Sequence, residues 1–481
     1  MDDQEKRAGL LSGGQVSRRE VLKKGLVGAA GLTVLPAVLA ACSSAASASP
    51  TATQTATTGP TATTAASASS SASAGTPAPS TVTGKVTFGS NLSDAVPKAA
   101  LADVVKAFQT ANPGVTVTVN TVDHTTFQNQ ISSYLAATPE DVISWFSGFR
   151  MRAFVAQGFF TPIDDVWAGP MGALYTDAYK TACTADDGKL YMVPFDTYAW
   201  AVYYRPSVWT AKGYTIPKTL TDFKTLAAKM KTDGLVPIGL GDKDGWPAMG
   251  HFDIINLREN GYQFHVDLMA GKQKWTDPKV VQVFTVWKSL LPWYQTGAAG
   301  RIWQDAAAGL LNKTTGMMLQ PQVAETFAGS KNPADLADLD FFPWPGHGTS
   351  FDAENALDAP IDGYMLTSKS PNLAADTAAA KAFLAFLGTG AAQIIYAKAE
   401  VADIAPAKDA DASQYTALQK KQVDIIANAK KLTQFMDRDT NPNFAGPNGM
   451  QGFLIDFLAN PNQDLTAYLA KIQKFWDSLG S

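Results

Sequence analysis

The chain has 481 residues, 46% hydrophobic and 17% charged, with a formal net charge of −4. So even a balance, with no basic cluster, excludes nucleic acid as a partner. Two cysteines, Cys42 and Cys183, exclude a disulfide framework, which a chain this long does not need in order to bury a core.

At the N-terminus, Ser17-Arg18-Arg19-Glu20-Val21-Leu22-Lys23-Lys24 precedes an uncharged stretch from Gly25 to Ala41 that is interrupted by glycines and Pro36. That stretch falls short of the roughly 20 predominantly apolar residues of a membrane span. A charged region followed by a moderate apolar one is the profile of a signal peptide. The arginine pair resembles the twin-arginine export signal, and Leu39-Ala40-Ala41-Cys42 resembles the bacterial lipobox, in which the cysteine is lipidated and becomes the new N-terminus. Residues 1–41 are therefore expected to be a signal peptide and Cys42 a lipid anchor on the outer face of the cytoplasmic membrane. The alternative is an uncleaved signal anchor, with Cys42 incidental. Between Ser43 and Ser80 the chain contains only Ala, Ser, Thr, Pro, Gly and Gln54. Such a composition cannot build a core, so residues 42–83 are expected to act as a leash reaching roughly 35 Å.

From Gly84 the composition becomes globular, and about 400 residues suit two lobes better than one core. Val86-Thr87-Phe88 predicts a strand. Leu101, Val104, Val105 and Phe108 follow helical spacing, and Asn112-Pro113-Gly114 ends that helix. Val115, Val117 and Val119 alternate with threonines as a strand does. A second helix carries Phe127, Ile131, Tyr134 and Leu135, and Asp141 to Trp145 is a third strand. Strands separated by helices predict an α/β class with a mainly parallel sheet. Ligands bind beyond the carboxyl ends of such strands, which puts Asn91, Trp145 and Phe149 near a cleft.

Enzyme signatures are absent from the sequence: no Gly-x-Ser-x-Gly, P-loop, His-Glu-x-x-His or Cys-x-x-Cys. A spatial pair of carboxylates acting on a glycosidic bond stays open. His124, His251, His265 and His347 lack metal-ligand spacing and read as surface or capping residues. Cys183 reads as inert and partly buried. Gly239-Leu240-Gly241 with Gly245 reads as a turn-rich loop. Eleven tryptophans are many for this length. Trp246 in Gly245-Trp246-Pro247 and Trp303 between Arg301 and Gln304-Asp305 sit beside turn and polar residues. Flat aromatics among Asp, Asn, Gln and Arg suit the C–H faces and hydroxyls of a sugar. Trp287 and Trp293, flanked by apolar residues, read as core.

Several segments resemble the extracellular solute-binding proteins of ABC importers, in the sugar-binding group related to maltose-binding protein. They are Tyr134-Leu135-Ala136-Ala137 running into Pro139-Glu140-Asp141-Val142-Ile143, and Ala156-Gln157-Gly158-Phe159-Phe160-Thr161-Pro162-Ile163-Asp164. Next come Asp187-Gly188-Lys189-Leu190-Tyr191-Met192-Val193-Pro194 and Val202-Tyr203-Tyr204-Arg205-Pro206-Ser207. Pro360-Ile361-Asp362-Gly363-Tyr364-Met365-Leu366 and Asp437-Arg438-Asp439-Thr440 complete the set. Arg205-Pro206 departs from the Asn-Lys more usual in that family.

The resemblance implies a two-lobed, type II periplasmic-binding-protein-like α/β fold with the ligand between the lobes. Residues 84–197 with 359–428 would form the N-terminal lobe, and 198–358 with 429–481 the C-terminal lobe. It further implies a cleft built from Trp145, Phe149, Asp196, Trp246, Trp303, Gln320, Asp362, Tyr364, Asp437 and Arg438. The carboxylates would accept from sugar hydroxyls, Arg438 would donate and the aromatics would stack; Asp437 pairing with Arg438 is the competing role. A monomer that binds a small solute (a sugar or oligosaccharide), touches the membrane through its lipid alone and docks on permease subunits would need no cofactor, metal or catalytic residue. A carbohydrate-active enzyme, a sensor or adhesin on the same fold, and an importer of peptides, polyamines, metal complexes or polyol phosphates are the alternatives.

Overall fold

The computed structural model describes residues 81–480. The expected signal peptide, Cys42 and the leash up to Ser80 lie outside the described residues. Cys183 is wholly rather than partly buried, and burial pushes its thiol pKa up.

Along the chain, β1 (Gly84–Ser90) leads into a helix, Ala95–Ala111, that buries Leu101, Val104, Val105 and Phe108. The chain turns at Asn112 into β2 (Val115–Thr121), then a helix (His124–Ala136) and β3 (Val142–Phe146). After short helices comes β4 (Met192–Thr197). Then follow β5 (Val202–Tyr204), β6 (Val236–Gly239), β7 (Thr315–Leu319) and β8 (Asp340–Phe342). Three more strands are β9 (Ala356–Asp358), β10 (Ile361–Leu366) and β11 (Lys431–Thr433). They form a sheet of order β2-β1-β3-β10-β4, a second of order β6-β7-β5-β8, and the pair β11-β9.

The first sheet is not wholly of the expected parallel kind. β1 runs parallel to β2 and β3, whereas β10 runs antiparallel to β3 and β4. The reason lies in where β10 enters. β1 and β2 end at the cleft described below, while β10 starts there, arriving from β9, and so points the opposite way.

Each large sheet has its own core. One joins Val86, Phe88, Phe108, Trp145, Phe195, Tyr364 and Phe383; the other joins Trp200, Phe223, Phe252, Trp275, Trp287, Phe435 and Tyr468. Separate apolar clusters with chain crossings between them make two lobes. The crossings are stitched by backbone and amide bonds: Trp200 N donates to Asp358 O (2.9 Å), Ala199 N to Gln422 Oε1 (3.0 Å) and Ala359 N to Thr433 O (3.1 Å). β9 and β11 run parallel beside one another at the same place.

Three histidines are core residues rather than surface or capping ones. His251 Nδ1 lies 2.8 Å from Tyr294 Oη, with its ring stacked on Trp287 at 3°. His265 Nδ1 meets Asn256 Nδ2 at 3.1 Å, and His347 Nδ1 meets Glu259 Oε1 at 2.5 Å. Burial lowers the pKa of His251 and His265 to about 3. In His251 and His265 a neutral imidazole with one ring nitrogen partnered behaves as a core side chain.

Candidate functional site

Both lobes present strand ends and helix starts to a shared cavity of about 280 Å³. From the side of the first sheet, Asn91 follows β1, His124 follows β2, Asp196 lies in β4 and Asp362 is the second residue of β10; Glu400 and Asp403 follow the helix Gly390–Ala397, on a segment whose Val401 and Ala402 pack with Tyr203, Val323 and Phe327. From the C-terminal lobe, Trp246 lies in the loop after β6, Trp303 opens the helix Trp303–Leu311, and Gln322 and Glu325 follow β7. Trp200, from the first crossing, and Phe435, after β11, form the floor, with Arg438 beside them.

The floor is aromatic. Trp200 stacks on Phe435 with centroids 5.0 Å apart and planes at 28°. Trp246 stands edge-on to both, at 6.5 Å and 6.4 Å. Trp200 can lie so deep because Gly250 in the helix beneath has no side chain; a Cβ there would collide with the six-membered ring.

The wall toward the crossings is ionic. Arg438 grips Asp362 through Nε (3.0 Å to Oδ1) and Nη2 (3.1 Å to Oδ2), with its guanidinium 4.1 Å from the Phe146 ring centroid. Asp437 does not pair with Arg438: its Oδ2 lies 3.4 Å from Arg150 Nη1, which also donates to Gln128 Oε1 at 2.6 Å. Adjacent residues on a short helical turn point to different sides, and here each finds its partner in the opposite lobe. Gly148, at φ 86°, allows this approach, since a Cβ would meet Asp439 Oδ1 and the Arg438 carbonyl.

Burial, opposed in part by Arg438, pushes Asp362 up to about 6, and burial pushes Asp439 to about 6. Asp196 is raised by burial and then by Asp362. Glu400 is raised by burial and then by Glu325, Asp403 by burial and then by Asp196, and Glu325 by burial and then by Asp403. Several buried polar atoms of lining residues have no partner among the described residues: Asp196 Oδ1, Trp200 Nε1, Gln322 Oε1, Glu400 Oε2 and Asp437 Oδ1. Groups of this kind are normally satisfied, so a ligand rich in donors and acceptors is the natural complement.

Across the mouth, Gln304 Nε2 sits 3.4 Å from both carboxylate oxygens of Asp94, joining the lobes. No group of three or more His, Cys, Asp or Glu among the described residues is arranged to hold a metal ion.

Of the ten residues proposed from sequence, the structure brings Asp196, Trp246, Trp303, Asp362, Asp437 and Arg438 to the cavity. Trp145 is not there: it is buried in the N-terminal core against Phe146 and Phe154, at 5.0 Å and 5.5 Å. β3 is covered on both faces, so every one of its side chains is core. Tyr364 is edge-packed on Phe88 and Phe195 for the same reason. Phe149 contributes its backbone amide to Asp439 Oδ1 (3.2 Å) rather than its ring to the cavity. Gln320 is wholly buried behind the lining, one turn residue short of it. Sequence reading missed Tyr198, Gln322, Glu325, Tyr396, Glu400 and Asp403. Glu400 and Asp403 did carry a signal, being acids spaced by apolar Val401 and Ala402 in Ala399-Glu400-Val401-Ala402-Asp403.

Comparison with known proteins gives a consistent result. The family described as bacterial extracellular solute-binding protein matches residues 91–394. An uncharacterized ABC transporter extracellular-binding protein of Pyrococcus horikoshii is 26% identical over 302 residues, 62% of this chain and 65% of that one, just under two thirds of its length. The alpha-glucosides-binding periplasmic protein AglE of Rhizobium meliloti is 25% identical over 72% of this chain and 77% of its own. Among solved structures, the bacterial solute receptor AcbH is 42% identical with a TM-score of 0.79, covering 83% of this chain and all (100%) of that one. AcbH is described as exclusively preferring β-D-galactopyranose. A chitin oligosaccharide binding protein shares the fold at 20% identity, with a TM-score of 0.72 over 82% of this chain and 98% of its own.

Proposed function

We propose that this chain, since it belongs to the bacterial extracellular solute-binding protein family, captures a pyranose sugar for an ABC importer. The observation that carries the reading is the cavity itself. Trp200, Trp246 and Phe435 offer flat apolar faces, while the carboxylate oxygens of Asp196, Asp437 and Glu400 and the Trp200 indole nitrogen offer unused hydrogen-bonding capacity. A sugar ring needs both at once. Its volume, about 280 Å³, is at the small end of ligand sites, which run from about 300 to 1,000 Å³. That favours one or two rings over a longer oligosaccharide. The 42% identity with AcbH makes galactopyranose the first sugar to try.

In this reading the lobes close around the solute, biased by contacts made only when closed. A lipid on Cys42 and the leash behind it would keep the loaded receptor near its permease. Nothing in the cycle alters the solute. The test is a thermal-shift and calorimetric screen of monosaccharides and disaccharides on the purified protein, followed by recovery of the bound sugar. A sugar that raises the melting temperature by mass action and is recovered unchanged supports the reading; turnover, or no response to any sugar, refutes it. Loss of membrane association in Cys42→Ala cells tests the anchor separately.

A further inference from the structure

The charge of the cavity is lopsided. Nine lining residues are Asp or Glu, while Arg438 is the only lysine or arginine among them. Five of those acids are accounted for or peripheral. Asp362 is held by Arg438 and Asp437 by Arg150. Asp123 caps a helix through the Thr126 amide, Asp94 accepts from Gln304, and Asp244 stands at the rim, partly buried.

The remaining four, Asp196, Glu325, Glu400 and Asp403, have no cation of their own. Glu400 is 1% exposed and Asp196 6% exposed, and each has one carboxylate oxygen without a partner. Glu400 uses its other oxygen only for the Ala402 amide, at 3.3 Å. The four line the one cavity and repel one another: Glu325 stands on the helix Val323–Ala328, and Glu400 and Asp403 flank Val401 and Ala402, which pack in the same apolar cluster as Val323 and Phe327. Buried carboxylates without a counter-charge are costly, and two buried acids in mutual contact cannot both ionise cheaply. Arg438, the one cation near Asp196 and Asp403, is already gripped by both oxygens of Asp362. An anionic solute would therefore find no free cation, and a cationic one would find four unneutralised acids.

We propose that the preferred solute is an amino-substituted pyranoside whose ammonium group sits among Asp196, Glu325, Glu400 and Asp403. The proposal rests on the sugar-binding reading above. Hydrogen bonds to a charged partner are worth about twice neutral ones. An ammonium in place of a hydroxyl at this point should tighten binding about tenfold.

Isothermal titration at pH 7.5 on the full-length protein would compare D-galactose, D-glucose and D-mannose with their 2-amino and 6-amino derivatives, and with D-galacturonate. The expected result is at least one amino sugar binding about tenfold tighter than its parent, and galacturonate binding more weakly than galactose. Glu400→Gln, which keeps the bond to the Ala402 amide, should erase most of that advantage while the variant still melts cooperatively. Glu325→Gln, on the helix Val323–Ala328, is the second variant should Glu400→Gln fail to fold. If parent sugars bind and no amino sugar binds tighter, this proposal falls and the sugar reading survives. If neither kind binds, the reading beneath it falls as well.

Discussion

Arg438→Met tests the ionic wall and can be worked through from the geometry. Arg438 is 5% exposed and holds Asp362 by two contacts of 3.0 Å and 3.1 Å. The methionine keeps most of the volume over Phe146 but removes the charge. An opposite charge this close lowers a carboxyl pKa by about 1–3 units, so without it Asp362 should rise from about 6 to about 8. A carboxyl whose folded pKa lies above its unfolded value near 4 supports stability below that value and loses it as pH rises through the folded pKa. In the parent protein that loss is complete a little above pH 6; in the variant it continues to about pH 8. The gap in stability between the two should therefore widen by about 2.7 kcal/mol between pH 6 and pH 8. Urea unfolding at pH 5.5 and pH 8.5 measures it. Adding Asp362→Asn to Arg438→Met removes the group Arg438 holds most closely and should reduce the widening, the remainder coming from Asp196, Asp358 and Asp403, which Arg438 also holds down. A gap that is the same at both pH values, or a widening undiminished in the double variant, would refute the assignment of this pair.

Three further predictions address the floor and the core. Trp246→Ala removes a half-buried indole; if a sugar covers about 80 Å² of it, the loss is about 2 kcal/mol, or roughly thirtyfold in Kd. Equal collapse of binding and melting temperature would return Trp246 to the core. Gly250→Ala should push the Trp200 ring into the cavity, destabilising by about 1–3 kcal/mol and weakening sugar binding; unchanged affinity would show that Trp200 is not part of the floor. His251 stays neutral in the fold down to about pH 3, so the folded state binds fewer protons than the unfolded state between there and pH 6.5. Stability therefore falls as pH drops through that window, and His251→Gln should reduce the slope by about 1.4 kcal/mol per pH unit. An unchanged slope in urea titrations would contradict a buried neutral imidazole.

What the sequence made legible was whatever depends on neighbours in the chain. The stripe of Leu101, Val104, Val105 and Phe108, the alternation of Val115 and Val117, and the stop at Asn112 are set within a few residues, and all appear in the structure. The orientation of β10 was not legible, because Met365 pairs with Ile143 and with Met192 across long sequence separations. The site divides in the same way. Trp246 and Trp303 stood out because a large aromatic beside a turn is locally anomalous. Glu325 did not, since an acid in the first turn of a helix is ordinary for the helix dipole. Only the approach of a segment distant in sequence, bringing Glu400 and Asp403, makes it unusual. Trp145 misled for the complementary reason: a strand end near a cleft looks the same in sequence whether its second face is open or covered.

The segment after β11 ties these observations together. Phe435 and Met436 are fixed in the C-terminal core, and the Met436 amide donates to Asp253 Oδ2 at 2.7 Å. Their neighbours reach the other lobe: Gln434 Oε1 accepts from Ser147 Oγ and the Ile361 amide, Arg438 grips Asp362, and Asp439 accepts from the Phe149 amide. So many cross-lobe bonds beside the crossings resist separation there, and a rotation about the crossings displaces these atoms least. The contact at the mouth, Gln304 to Asp94 at 3.4 Å, lies farther out and changes most. A solute can bias closure only through contacts that differ between the open and closed states. In the proposed cycle Arg438 and Asp362 would then act as a fixed platform for the sugar, whereas Trp246, Trp303 and Gln304 would decide whether closing on it is favourable.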